Sequence, residues 1–434
     1  MTEIKEVTKF TTIVILLAAF IAWMHDGYSL VLISLLANEF KAYFSVSDAA
    51  IGLVISLQFV FTVPGAIIFG ELGDRYGRKK ALIVSIAWDA VFSSLTALVP
   101  PNAFILFAIL RLISGLGVSW GISFSLISEH FSPKRRGAAG GLVHSTFVIG
   151  YIGAIVTTLF ISPWQFCFLT ALFPIPFLVL FWFALPESSI WKEYAEIRDK
   201  KQIKQKIRIK EIFNKKWAKL TILLILLFWL AEMAYHSLVD FAPVFFEYLF
   251  AFTGSVNAAG SARLYMLVLM VIAAFGLFFF GFLSDYTGRK KAFFIDNIIG
   301  IFGGILFAIF TLLIFNDTLI LFSAVFITLG FGLHGIVGVW NSELYDTELR
   351  ASANSIIYSA ARGASFGGFF VGLISDALNP NPANPLADPF ASLTALGTGM
   401  ILSLIAFIGV FIVLQFVPEP KDKTITALSK DITY

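Results

Sequence analysis

Twelve runs of apolar residues, most of them about 20 residues long or longer, leave this chain few ways to fold. Lipid offers no partners to backbone N–H and C=O groups, so a chain that crosses it repeatedly must do so as helices or a closed barrel. Runs of this length fit helices, since a membrane strand needs only about 9–11 residues. The runs fall at roughly 11–37, 49–70, 81–99, 103–129, 138–160 and 164–185, then 217–249, 262–283, 292–315, 318–344, 351–377 and 391–416. Hydrophobic residues make up 58% of the chain and charged ones 14%, far from the roughly 45–50% and 25% of soluble domains. The first run is too long for a secretory signal and lacks a small-residue cleavage site, so it reads as the first span. The expected fold class is all-α integral membrane.

The same composition removes whole classes of function. A single cysteine, Cys167, excludes a disulfide framework and a cysteine-cluster metal site. The net charge of +3 is too small and scattered for nucleic acid. No phosphate-binding glycine loop, metal-ligand spacing or nucleophile elbow is present, so neither ATP hydrolysis nor another enzyme activity is expected. No cofactor or metal is called for; the expected partners are a small molecule, protons and the bilayer, with the chain acting as a monomer.

Charge sets the expected orientation. Lys and Arg gather after segments two, four, six and eight, as Arg75/Arg78/Lys79/Lys80, Lys134/Arg135/Arg136, the linker after residue 186, and Arg289/Lys290/Lys291. The opposite loops carry little beyond Lys41 and Arg263. The positive-inside rule then places both termini and the linker in the cytoplasm of a cell whose plasma membrane holds the protein.

The chain also repeats itself. Gly70-Glu71-Leu72-Gly73-Asp74-Arg75-Tyr76-Gly77-Arg78-Lys79-Lys80 returns 211 residues later as Gly281-Phe282-Leu283-Ser284-Asp285-Tyr286-Thr287-Gly288-Arg289-Lys290-Lys291. Glu129 and Arg136 after segment four are echoed by Glu343 and Arg350 after segment ten, with the same seven-residue spacing. These acidic and basic groups are expected to pair into a cytoplasmic gate: Gly70, Asp74, Arg75, Gly77, Arg78, Glu129 and Arg136 in the first half, Asp285, Gly288, Arg289, Glu343 and Arg350 in the second. The organisation read from this is a bundle over 11–185, a linker with surface helices over 186–216, and a second bundle over 217–417.

The first glycine turn resembles the signature loop between helices two and three of the major facilitator superfamily, and Arg111-Leu112-Ile113-Ser114-Gly115-Leu116-Gly117 resembles its helix-four motif. Pro186-Glu187-Ser188 is similar to the sequence after helix six in sugar and organic-ion porters, and Pro418-Glu419-Pro420 to its echo after helix twelve. The resemblance implies two pseudo-symmetric six-helix bundles with substrate between them near the midplane. Asp26-Gly27-Tyr28 resembles the helix-one stretch of proton symporters for organic acids, such as aromatic-acid and sialic-acid or lactate-type porters. Those carry a second Asp where this chain has Ser29. The Gly-Pro pair of drug antiporters is absent from Gly150-Tyr151-Ile152-Gly153.

Ionisable groups at membrane depth are costly and mark function by default. His25 and Asp26 lie about 21 Å into segment one, at about 1.5 Å per residue. Glu232, His236 and Asp240 share one face of segment seven at i, i+4, i+8. These five are the expected proton-coupling groups, with Asp26 and Glu232 foremost. Substrate contacts are expected from Arg362 and Arg111, which would balance an anion, and from His334, Asn341, Tyr28, Trp340 and Trp120. His144 is expected to matter less, and Asp89 and Asp296 are read as structural groups on the inner face. The sequence therefore points to alternating-access symport of a small organic anion with protons. Sugar–proton symport is the alternative, ahead of a uniporter or multidrug antiporter.

Overall fold

The computed structural model describes residues 9–130, 133–188, 191–192, 196, 209–345, 347–363, 366–382 and 384–419. Twelve helices among them are long and apolar enough to cross a membrane: α1 (Lys9–Leu35), α2 (Asp48–Gly73), α3 (Arg78–Leu98), α4 (Phe104–Ser123), α5 (Leu142–Phe160) and α6 (Trp164–Ala184) in the first half. The second half supplies α7 (Ala218–Phe252), α8 (Ala258–Thr287), α9 (Arg289–Leu313), α10 (Asp317–Gly338), α11 (Ile356–Leu378) and α12 (Pro389–Leu414). No strand occurs among the described residues. Large apolar side chains such as Phe183, Phe275, Phe278 and Leu313 point outward, where lipid solvates them.

The halves meet along α2 against α11 and α5 against α8. These pairs exchange under a two-fold axis, since α2 corresponds to α8 and α5 to α11. Within the first half α1 lies along α5. A Cβ on Gly27 would strike the Phe147 carbonyl and one on Gly150 the Met24 carbonyl, so two glycines let these backbones touch.

Both charged turns have the same construction. Gly77 and Gly288 sit at φ +109° and +97°, conformations that side chains oppose, and break each helix so that the next starts at once. The new N-termini are capped from the end of their own half. Glu187 Oε1 accepts the N–H groups of Arg78 and Lys79 at 2.8 and 3.3 Å, and Glu419 accepts those of Arg289 and Lys290 at 3.1 and 2.8 Å. The two Pro-Glu motifs thus anchor α3 and α9, an acid on a helix N-terminus.

Among the expected gate residues, acid–base pairs are described only in the second half. Arg289 grips Glu343 with Nε and Nη2 at 3.0 and 2.8 Å, and Asp285 with Nη1 at 2.5 Å, tying the α8–α9 turn to the end of the helix His334–Leu344 that continues α10. The side chains of Asp74, Glu129, Arg136 and Arg350 lie outside the described residues, as does most of the linker expected to form surface helices.

Several helices are broken at mid-depth. α4 is interrupted between Gly115 and Trp120, α7 between Val239 and Ala242, and α10 between Leu329 and His334. Each break frees backbone N–H groups that must find acceptors inside the protein. Two buried aspartates provide them. Asp26 Oδ2 accepts the Ser119 N–H at 3.2 Å at the α4 break, and Asp296 Oδ2 accepts the Leu333 N–H at 2.8 Å at the α10 break.

Candidate substrate cavity

A cavity lies between the bundles. Its walls come from both: Trp23 of α1 and His144, Phe147, Val148 and Tyr151 of α5 on one side; Glu232, Tyr235 and His236 of α7, Met270, Ala273 and Leu277 of α8, Phe331 and His334 of α10, and Tyr358 and Arg362 of α11 on the other. Mostly apolar walls with a few convergent polar groups are the usual make-up of a small-molecule site.

Arg362 is the cation of this cavity. It is 4% exposed, and its guanidinium lies over the rings of Phe59, Phe147 and Trp23 at 4.9, 5.4 and 5.6 Å. The rings stabilise the charge through their negative faces but accept no in-plane hydrogen bond. Arg362 Nη1 has no partner among the described residues. A buried donor left unsatisfied costs about 1–3 kcal/mol, more when charged, which an incoming carboxylate would recover.

Opposite it runs a line of acids and imidazoles. His236 Nδ1 faces both Asp240 oxygens at 3.0 and 3.2 Å. Its Nε2 is 3.6 Å from Glu232 Oε2, and His334 Nε2 is 3.7 Å from Glu232 Oε1. The Phe331 carbonyl can only accept, so His334 Nδ1, 3.1 Å away, carries a proton. Both Nε2 atoms lack hydrogen-bond partners among the described residues, leaving capacity toward the cavity.

A second buried nest lies deeper in the first bundle. His25 Nδ1 is 3.1 Å from Asp89 Oδ2, and its Nε2 is 2.9 Å from the Ala171 carbonyl. Asp89 Oδ1 accepts from Ser29 at 3.0 Å and Ser114 at 2.7 Å, while Arg111 donates to Ser93 Oγ at 2.8 Å and to the Ser29 carbonyl at 2.9 Å. Donor atoms of His25, Asp26 and Asp89 all lie within 4.8 Å of one another. Trp23 and Trp120 connect this nest to the cavity: their rings are 6.3 Å apart, and Trp120 meets Tyr358 at 4.9 Å.

The structure therefore divides the expected residues into three groups. Glu232, His236, His334 and Arg362 converge on the cavity, with Asp240 behind His236 and Trp120 behind Trp23. His25, Asp26 and Arg111 form the nest instead, so Arg111, expected to touch substrate, holds α1 and α3 together. Tyr28, Trp340 and Asn341 are not among the lining residues. The Tyr28 hydroxyl binds Thr157 and Thr170, Trp340 donates to the Pro418 carbonyl and packs on Phe293, and Asn341 is fully buried. Conversely, His144 lines the cavity, and Asp89 belongs to the nest rather than standing alone as an inner-face group. Tyr151 and Tyr235 also line the cavity and Phe59 lies under Arg362; the only sequence signal for the two tyrosines is a hydroxyl within a central span.

Comparison with known proteins agrees with this architecture. A 25%-identical relative, a putative metabolite transport protein of Haemophilus influenzae, aligns over 94% of this chain and 97% of its own length. A cis,cis-muconate transport protein of Acinetobacter baylyi is 27% identical over 83% of this chain and 86% of its own. The fold is that of the solved D-xylose–proton symporter, with a TM-score of 0.74 at 18% identity, covering 95% of this chain and all of that one. A sequence profile for the Major Facilitator Superfamily matches residues 15–368, and with twelve membrane helices around a central cavity the chain belongs to that family of transporters.

Proposed function

We propose that this transporter carries a small organic anion together with protons, by alternating access. The observation that carries the reading is Arg362: a guanidinium caged by three rings, buried, and with one NH₂ edge unpaired beside the cavity. A carboxylate matches that edge, and Trp23, Phe147, Phe331 and Tyr358 offer flat apolar surface to the rest of the molecule. The muconate transport protein among the relatives supports an organic-acid cargo. Asp26 and Glu232 are the coupling carboxylates of this reading, with His25, His236 and Asp240 as their partners.

The basic turns set the proposed orientation, with termini in the cytoplasm and the protein in the cell membrane. The test uses purified protein in liposomes with an inside-alkaline pH gradient. Labelled aromatic acids, other small carboxylates and sugars are offered with and without an uncoupler. Uncoupler-sensitive accumulation of a carboxylate is the expected result. Accumulation of sugars alone would transfer the reading to sugar–proton symport, sodium-driven uptake would remove the proton, and gradient-insensitive equilibration would indicate a uniporter.

A further inference from the structure

The hydrogen-bond pattern around His25 requires a proton that its neutral ring does not supply. Its Nε2 points at the Ala171 carbonyl from 2.9 Å, and a carbonyl only accepts, so Nε2 carries a hydrogen. A neutral imidazole then has a bare lone pair at Nδ1. Nδ1 lies 3.1 Å from Asp89 Oδ2 without a hydrogen-bond partner among the described residues, in a site where His25 is wholly buried and Asp89 is 4% exposed. A bare nitrogen and a carboxylate oxygen that close repel, and a proton on either replaces the repulsion with attraction.

Charge counting leads to the same number. The groups facing Asp89 are His25 and Asp26 from α1 and Arg111 from α4, with Arg362 of α11 reaching Asp26 from the other bundle. Arg362 belongs to the cavity, where the proposed substrate carboxylate would engage it, so the nest's own groups are two carboxylates and one guanidinium, which leaves one negative charge in a nearly water-free place. One bound proton neutralises it, and neutral nests are far cheaper to bury.

Asp296 of α9 provides the contrast. It too is buried beside a broken helix, but it accepts a single backbone N–H and has no ion pair with a cation or imidazole among the described residues. Asp296 thus serves one backbone N–H and leaves its Oδ1 without a partner among the described residues, whereas Asp89 accepts from two hydroxyls and lies beside an imidazole. Ser29 explains why the acid stands on α3. Its Oγ lies 3.0 Å from Asp89 Oδ1, so a carboxylate at position 29 would fall in the same nest.

We propose that Asp89 is a coupling residue: the transported proton is held between Asp89 and His25, with the acid supplied by α3 in place of position 29 of α1. The assignment rests on the proton-coupled reading above. Occupancy of this proton site is felt at the cavity through Asp26, which binds the α4 break at Ser119, and through Trp23, three residues before it, which lies under Arg362.

The test compares wild type, Asp89→Asn and the relocated pair Ser29→Asp/Asp89→Ser in liposomes. A one-unit pH gradient carries about 1.4 kcal/mol per proton, or about tenfold accumulation. Wild type showing no gradient response would defeat the coupling reading itself, and this one with it. If wild type accumulates, D89N is expected to lose that roughly tenfold accumulation while still exchanging labelled for unlabelled substrate. The relocated pair is expected to regain most of it. D89N that accumulates as wild type does would overturn the proposal, as would a folded relocated pair that exchanges but never accumulates. If D89N does not fold, a folded and accumulating relocated pair supports the proposal. Failure of both to fold would mark Asp89 as a structural cap and overturn it.

Discussion

Asp376 of α11 caps the helix that begins at Asp48 in the other bundle: its two carboxylate oxygens accept the backbone N–H groups of Asp48 and Ala49 at 3.0 and 2.8 Å. The Asp48 side chain is held in turn by Lys41 at 2.5 Å and Ser375 at 3.0 Å. Lys41 also donates to Tyr248 at 2.7 Å, Asn38 to Glu247 at 2.9 Å, and Arg263 pairs with Glu39. Apart from the Lys41–Asp48 pair, which lies within the first half and orients both groups, these contacts join the two halves at the end of the molecule away from the basic turns. A cavity that must open toward that end has to break them, and they are replaceable by water when it does.

Asp376→Ala should therefore unlatch this end. An N-cap acid is worth about 0.5–2 kcal/mol, so the balance between closed and open forms should move by about two- to thirtyfold. Spin labels placed on the outer ends of α2 and α11 would read this as a longer-distance population. An unchanged distance distribution would mean that the remaining contacts hold the end closed by themselves.

Arg362→Lys is expected to weaken substrate binding although it keeps the charge. An ammonium lacks the flat fork that both stacks on Trp23, Phe59 and Phe147 and presents two donors to a carboxylate. A loss of about 1.5–3 kcal/mol corresponds to roughly 10–150-fold in affinity, measurable by calorimetry on purified protein. Equal affinity in the variant would reduce Arg362 to a packing group.

Transport of a monocarboxylate should be electroneutral. The nest of Asp26, Asp89, His25 and Arg111 reaches neutrality with one proton, and one proton cancels one carboxylate. Clamping the liposome potential with potassium and valinomycin should then leave initial uptake unchanged within about twofold. A potential-driven increase would mean that more than one proton accompanies the anion.

Gly77→Ala and Gly70→Ala should separate sharply, although both lie in the same turn. Gly77 has φ +109° and ψ 150°, a region nearly closed to other residues, and a Cβ there would collide with the Glu187 carboxylate that caps α3. Such strain costs about 1–3 kcal/mol. Gly70 is an ordinary helical position with nothing within 4 Å of an added Cβ. A thermal-stability assay in detergent should show a lowered midpoint for G77A and none for G70A; equal shifts would refute the assignment of Gly77 to backbone geometry.

The sequence alone determined the spans, the duplication and the places where charge can sit. Apolar length, the 211-residue repeat and the positive-φ glycines are local properties, and α1–α12 appear where the runs predict them. It also pointed to Glu232, His236, His334 and Arg362, which line the cavity, because an ionisable group at membrane depth must face the protein interior. Which interior it faces was decided only by the fold. These helices are apolar on every side, so no amphipathic stripe reveals how each is rotated about its axis. Trp340 turned toward α9 and His144 toward the cavity on the strength of packing alone. Asp89 met His25 and Arg111 because α1, α3 and α4 pack together at one depth, a meeting of residues 25, 89 and 111 that no spacing along the chain encodes.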